Sequence, residues 1–220
     1  MGYSHTIPIF EGFSIAHAIN RINLAGRHIT EYLIKLLYEK NYIAISSSQR
    51  EIVKDIKEKL AYIAIDFDSE LASSKILSSD ISKTYHLPDG NIIKLEDQHF
   101  RCAELLFRPS LDGKDLKGVH CIVDKSIKES DVDIRRALYE NILLSGGTTM
   151  MVGMQERLDK EMAFMAPSAI KCQVIALPQR QYLPYAGGMV LASLSGLNDK
   201  WVTKQEYEEF GSKIMHIKCI

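Results

Sequence analysis

The stretch that most limits what this chain can fold into is Ile142-Leu143-Leu144-Ser145-Gly146-Gly147-Thr148-Thr149-Met150. Three apolar residues feed a Ser-Gly-Gly-Thr-Thr turn, and a helical pattern follows from Val152 to Met162. Paired glycines let a backbone approach its neighbour closely, and a turn that opens a helix points free N–H groups outward. Strand, small-residue turn and helix in that order suit an α/β chain, and they suit a phosphate or a nucleotide edge at the turn. Taken alone, such a turn is more often only a tight connection.

The remaining pattern agrees with that class. Pro8 to Arg21 combines a short strand-like run with an apolar helical stretch. Ile29, Leu33, Ile34, Leu36 and Leu37 recur at helical spacing and predict an amphipathic helix up to Tyr38. Ser48-Gln49-Arg50-Glu51 fits a capping box, followed by one apolar face of Ile52, Val53, Ile56, Leu60 and Ile63. Ser69 to Ser82 is serine-rich and weakly patterned, which predicts a surface loop. Tyr85 to Ile93 reads as a hairpin turned by Pro88-Asp89-Gly90. Phe107 to His120 is a polar connection, Asp131 to Asn141 a helix, Ile142 to Leu144 a strand, Cys172 to Ala176 a β-rich run and Met189 to Leu194 a short helix. Strands alternating with helices give an α/β protein.

Composition removes several function classes. A net charge of −1 leaves no excess of Lys and Arg for nucleic acid or an anionic membrane surface. No apolar run approaches a membrane span, and the N-terminus has no signal-peptide core. Cys102, Cys121, Cys172 and Cys219 are scattered without a CxxC pair, which reads as reduced thiols in a cytosolic protein. The histidines show no metal-ligand spacing, so no metal site is expected.

Several segments resemble actin, in the same order and at the same spacing. They include Thr6 to Gly12, Leu24-Ala25-Gly26-Arg27, Arg50 to Leu60, Leu87 to Gly90, Asp131 to Arg135, the Ser-Gly-Gly-Thr-Thr turn and Trp201 to Tyr207. The likeness covers the C-terminal part of an actin and starts at Gly2, inside what would be the second phosphate loop. It implies an actin-like (ribonuclease H-like) α/β fold, C-terminal half only. Residues 1–24 and 115–182 would form a unit like the third subdomain, and 25–114 one like the fourth. Residues 183–220 would be the remnant of a C-terminal strip that in actin packs on the first subdomain.

The resemblance also assigns a nucleotide wall. Gly2, Tyr3 and Ser4 would end the second phosphate loop, whose backbone N–H groups face the phosphates. Gly26 matches a ribose-side glycine. Lys54, Lys57 and Glu58, at i, i+3 and i+4 on one helix face, would meet adenine and ribose; a surface salt-bridge array is the plainer reading of that spacing. Gly146, Gly147, Thr148, Met150 and Met151 would complete the wall. Lys54 stands where arginine is usual, Met151 where an aromatic is usual, and Gln181 where a lysine is usual. Each change weakens adenine recognition, so ATP or ADP with Mg is expected to bind weakly. His5 matches a histidine that positions the attacking water. Its glutamine partner and the metal carboxylate belong to the half that the likeness does not include, and phosphoryl transfer depends on such positioning and charge neutralisation. No independent ATPase is therefore expected.

Two assembly features follow from the same resemblance. The loop Leu111 to Lys117 stands where actin carries an apolar plug, but here it contains Asp112 and Lys114. Burying those charges unpaired would cost several kcal/mol, so ordinary filament assembly is disfavoured. The strip Leu183–Ile220 would leave Tyr185, Val190, Leu191, Leu194, Leu197, Trp201 and Ile214 partly bare, beyond what a soluble monomer normally exposes, which implies a protein partner or self-association. The chain then reads as a divergent or truncated actin-like structural subunit of the cytoplasm and cytoskeleton. The alternative is a fragment of a full-length actin-like ATPase that polymerises once the N-terminal half is supplied.

Overall fold

The computed structural model describes residues 2–40, 42, 47–76, 82–87, 90–194, 196 and 201–218. Strand β1 (Ser4–Thr6) leads into a short hairpin, β2 (Ile9–Phe10) and β3 (Phe13–Ser14), and strand β4 (Asn20–Ile22) returns antiparallel to β1. Two long helices follow, α1 (Gly26–Glu39) and α2 (Ser47–Leu60), then α3 (Phe67–Ile76). A hairpin of β5 (Lys83–His86) and β6 (Ile92–Leu95) precedes α4 (Gln98–Glu104). After a loop come α5 (Val119–Glu129), α6 (Val132–Glu140), β7 (Ile142–Leu143), α7 (Met154–Met165) and β8 (Val174–Ile175), with β7 and β8 parallel. The chain closes with α8 (Leu183–Ser193), α9 (Lys204–Phe210) and α10 (Lys213–Lys218). The mixture of helices and strands is that of an α/β protein, and among the described residues every sheet is two-stranded.

One apolar cluster runs through most of the molecule. Leu24, Ile29, Leu33 and Leu37 meet Val53 and Ile56 of α2, Leu95 of β6 and Leu105–Phe107, and the cluster continues to Leu144, Leu158 and Val174. The helical periodicity of α1 is realised directly, since Ile29, Leu33, Leu36 and Leu37 are all buried. In the hairpin, Gly90 takes φ +87°, a region open to glycine, and Leu87 N–H bonds to Asn91 O across the turn. Pro88 and Asp89 lie outside the described residues.

The structure differs from the sequence pattern in several places. The predicted Ser69–Ser82 loop is helical over Ser69–Ile76, as part of α3; residues 77–81 lie outside the described residues. Asp66 caps this helix by accepting from Ser69 N–H at 3.2 Å, and buried Phe67 anchors it edge-on to Phe100. Tertiary contact at one end supplies what its serine-rich face lacks. The apolar helical stretch before Arg21 shrinks to one 3-10 turn, Ala16–Ala18, because the flanking residues are drawn into β3 and β4. The helix predicted from Val152 starts only at Met154. Val152 instead pairs with Tyr62, and Gly153 at φ +82° approaches so closely that a Cβ there would lie 2.1 Å from Ile63 O. The helix α2 begins at Ser47, which puts Ser48 inside its first turn; the capping geometry lies outside the described side chains. Ile63 is buried but lies beyond the end of α2. The short helix predicted from Met189 starts six residues earlier, at Leu183, where Pro184 suits a first turn.

A buried ion cluster joins the parts. Arg157 of α7 and Glu104 of α4 are 4% and 0% exposed and form a bidentate pair, both bonds at 2.9 Å. Arg157 also donates to Ala64 O at 2.8 Å and to Glu161 at 2.7 Å, with its guanidinium 4.7 Å from the centre of the Phe107 ring. Arg108 contacts Glu104 at 3.3 Å and forks onto Asp68 of α3. Burial pushes the Glu104 carboxyl up, and Arg157 opposes that. Nearby, His99 is buried against Tyr62 and Phe100, and among the described residues neither ring nitrogen has a hydrogen-bond partner. Burial, aided by Lys83, lowers its pKa to about 4.

Two outcomes follow for stability. Glu104→Gln should cost about 3–5 kcal/mol in urea unfolding because it strands a buried guanidinium, while the double change Glu104→Leu with Arg157→Met should cost far less. Equal losses in the two would show that packing, not charge pairing, sets the cost. The His99 ring stays neutral in the folded chain down to about pH 4, whereas in the unfolded chain it gains its proton near pH 6.5. The stabilisation is therefore whole above pH 6.5 and is lost as pH falls toward 4. Unfolding at pH 4.5 should show the wild type weakened by about 2–3 kcal/mol more, relative to pH 7, than His99→Phe. Parallel pH profiles for the two proteins would contradict it.

Candidate functional site

Three segments far apart in sequence meet at Gly26. This glycine opens α1, and its N–H donates to Thr148 Oγ1, across 122 residues of chain, at 3.2 Å. Lys57 of α2 reaches the same residue from the other side, donating to Gly26 O at 3.3 Å and to Thr30 Oγ1 at 3.1 Å. Thr30 Oγ1 in turn donates to Gly26 O at 3.0 Å. A Cβ at position 26 would lie 2.9 Å from Thr148 Oγ1 and 3.5 Å from Lys57 Nζ, so a side chain there would push Thr148 Oγ1 out of its present contact.

The Ser145–Thr149 turn is held from behind. Gly146 takes φ +92° and ψ 158°, a conformation that L side chains avoid. Its N–H donates to Arg180 O at 2.9 Å, and its carbonyl accepts from the Thr149 hydroxyl at 2.7 Å. The Arg180 guanidinium then grips Thr149 O with two bonds, 3.1 and 2.8 Å. Among the described residues the Gly147 and Thr148 amides make no bond of this kind to other segments, and both line the open cleft. The turn opens a single 3-10 turn, Gly147–Met150, rather than leading straight into α7. Arg180 was not foreseen. Its partners are backbone carbonyls, one of them 31 residues away, and a carbonyl leaves no mark in the sequence.

A cleft of about 2060 Å³ runs along this junction. Of the residues assigned by resemblance, Tyr3, Ser4, His5, Gly26, Lys54, Lys57, Glu58, Gly146, Gly147, Thr148, Met150 and Met151 line it; Gly2 is not part of its lining. Tyr3, Ser4 and His5 are each held in place. The Arg21 guanidinium sits 3.6 Å above the Tyr3 ring, Ser4 Oγ donates to Leu24 O at 2.6 Å, and His5 pairs with Arg21 across the β1–β4 ladder.

The α2 charges do not all face the cleft alike. The Lys57 ammonium is turned inward, and burial draws its pKa below the ordinary value while Glu58 opposes. Lys54 lies at the surface 3.1 Å from Glu51, which raises the lysine's pKa. Glu58 is exposed, 3.9 Å from Lys57. Among the described residues, Glu51 and Glu58 are the only carboxylates on the cleft lining, and both have a lysine beside them. Among the described residues no three His, Cys, Asp or Glu side chains gather as a metal site.

The predicted plug loop is also placed. It folds into a 3-10 turn, Pro109–Asp112, ended by Gly113 at φ +66°. The Asp112 side chain is covered rather than displayed, 6% exposed and bonded to Lys35 of α1 at 2.5 Å and to Lys114. Burial resists its ionisation, but Lys114 and Lys35 outweigh that and hold its carboxyl below the usual range. Among protein-family models, the one described as Actin matches this chain over residues 1–220.

Proposed function

The chain belongs to the actin family, and on that premise we propose an actin-like cytoskeletal subunit of the cytoplasm that keeps a partial ATP-binding wall and has no independent ATPase. The observation that carries the reading is the junction of Gly26, Thr148 and Lys57, which brings the two glycine segments into one wall. A nucleotide fits this wall in part. The open Gly147 and Thr148 amides suit phosphate oxygens, and Glu58 suits a ribose hydroxyl. Met151 and Gln181 give the base little to stack on. Mg²⁺ does not fit the described residues of the cleft, because it takes near-octahedral oxygen ligands with one or two carboxylates. Here the two cleft carboxylates lie beside lysines, on the helix that would face the base.

The subdomain boundaries proposed from the resemblance, 1–24 with 115–182 against 25–114, are consistent with Glu104–Arg157 as the seam between them. Asp112, tied to α1, supports a loop unsuited to the apolar plug contact of ordinary filaments. A second reading, a fragment of an actin-like ATPase that polymerises once completed, is favoured by one feature: His5 stands exposed on the cleft with room for a partner. Among the described residues no helix is long and apolar enough to cross a membrane.

Calorimetry and phosphate release test the nucleotide reading together. ATP and ADP should bind near millimolar (about −4 kcal/mol), with no turnover above background. Saturable micromolar binding lost in Glu58→Ala, or steady turnover lost in His5→Ala, would overturn it.

The C-terminal strip supports a further part of the reading, a protein partner or self-association through 183–220. Tyr185, Val190, Leu191, Leu194 and Trp201 are exposed as expected, whereas Ile214 is buried and so is removed from that surface; Leu197 lies outside the described residues. Burying ~400 Å² of this strip would be worth on the order of 10 kcal/mol before the costs of association. In sedimentation the isolated chain should form a defined oligomer or soluble aggregates, and Val190→Glu should shift it toward monomer. A monodisperse wild-type monomer that binds no apolar dye would refute the proposal.

A further inference from the structure

Helix α1 starts without an ordinary cap. The residue before its first turn is Ala25, extended at φ −165° and ψ −171°, whose side chain has no oxygen to offer. His28 supplies an acceptor instead. Its Nδ1 accepts from Ala25 N–H at 3.3 Å, while its own N–H donates to Ala25 O at 2.9 Å. The side-chain bond is half of a capping box, with an imidazole where glutamate or glutamine is usual. Ala25 is 3% exposed, so water is a poor substitute for that acceptor.

The bond fixes the state of the ring. Nδ1 accepts only while it carries no proton, so the ring is neutral with its hydrogen on Nε2. A protonated ring has two donors and no acceptor. It would strand the buried Ala25 N–H and place positive charge in the first turn of a helix, where the free backbone N–H groups are already positive. Gly26 is the next residue, and its N–H holds Thr148 Oγ1 at 3.2 Å. Loss of the cap therefore acts on the junction itself.

The surrounding charges decide whether another group could hold a charged ring. On α1, Glu31 favours one, but Arg27 at 3.0 Å and Arg50 of α2 at 2.6 Å already engage that carboxylate. From α2 also comes Lys57, on Gly26 O, with Glu58 3.9 Å from it. From α4 comes Arg101, beside Tyr32, and Asp97 just ahead of that helix pairs with it. From the loop after α4 comes Asp112, bonded to Lys35 about two turns further along α1. The turn that carries Thr148, Gly147–Met150, brings no charge. Each of these carboxylates thus has a cation of its own.

We propose that His28 makes the Gly26–Thr148 junction a pH-sensitive latch, closed while the ring is neutral and loosened when it gains a proton. Imidazole is the side chain suited to a change of charge between pH 5 and 8. The latch is whole at the upper end of that span and is lost toward the lower end. The inference stands apart from nucleotide binding, because it concerns only how α1 meets the glycine turn.

The test is hydrogen exchange of the full chain at pH 7.5 and 5.5, with each rate divided by the intrinsic rate at that pH. Wild-type protection at Ala25 and Gly26 should fall about tenfold more than at Leu33, deeper in the same helix. His28→Gln offers an acceptor that does not titrate and should keep protection at both pH values. His28→Ala should show the low value at both. His99 is present in every variant, so its own pH effect is common to all. A nitrogen-15 spectrum of the His28 ring at pH 8 should place the proton on Nε2. If His28→Ala does not fold, the glutamine variant and the ring spectrum still decide the matter. Unchanged wild-type protection at the two pH values, the same fall in His28→Gln, or a proton on Nδ1 at pH 8 would each overturn the proposal.

Discussion

The Arg157 guanidinium holds together segments that local forces leave separate. It reaches Glu104 on α4, Ala64 O beyond α2 and Glu161 on its own helix, with its face toward Phe107. Glu104 then passes the link to Arg108 and Asp68 on α3. A guanidinium this deep is tolerated because its planar fork matches a carboxylate with two parallel bonds, leaving little donor capacity unmet. Gly153 completes the seam, since only a residue without Cβ lets Ile63 O come so close. With that contact fixed, Val152 pairs with Tyr62, and the wall of the cleft opposite α2 has its place.

That placement sets the division of the cleft. At one end, Gly26, Thr30, Lys57 and Thr148 satisfy one another so fully that Lys57 acts as a bolt in the wall. Its lowered pKa records the same burial. The surfaces left for a ligand there are backbone amides and Glu58, which can hold an anion or a hydroxyl but offer little to an aromatic ring. At the other end the lining is apolar, with Val119, Ile122, Val123, Ile127 and Leu138 along it. The two ends differ because helix α1 delivers closed hydrogen bonds to one, while α5 and α6 deliver apolar side chains to the other.

The last part of the chain follows a different economy. Thr203 and Glu206 cap α9 reciprocally, and Lys218 of α10 returns to Glu206 at 2.5 Å and to Trp201 O at 3.0 Å. Hydrogen bonds from Lys218 first, then from Thr203, hold the Glu206 carboxyl down to about 2. Polar contacts thus fix the geometry of the α9–α10 pair, while Tyr207, Phe210 and Ile217 remain exposed beside it. Local order and burial of apolar surface are separate matters, and here only the first is met within the described residues.

The sequence by itself determined what short-range chemistry controls. The apolar spacing of α1, the hairpin at Gly90, the helix after Asp131 and the glycine turn at Ser145 were all legible, because backbone torsion and periodicity act within a few residues; the family was legible through the resemblance of whole segments instead. The gathering of eleven assigned wall residues and His5 on one cleft was legible only through resemblance. Other features depended on the tertiary structure. The helix α3 needed Phe100 to anchor Phe67, although Asp66 ahead of it was a capping signal present in the sequence. Asp112 took two lysine partners, one of them on α1. Arg180 found a carbonyl, Lys57 turned inward, and Gly153 met Ile63 O. Each of these is a contact between segments whose approach is fixed by the shared core, and side-chain identity along the chain carries no information about such distances until that core has formed.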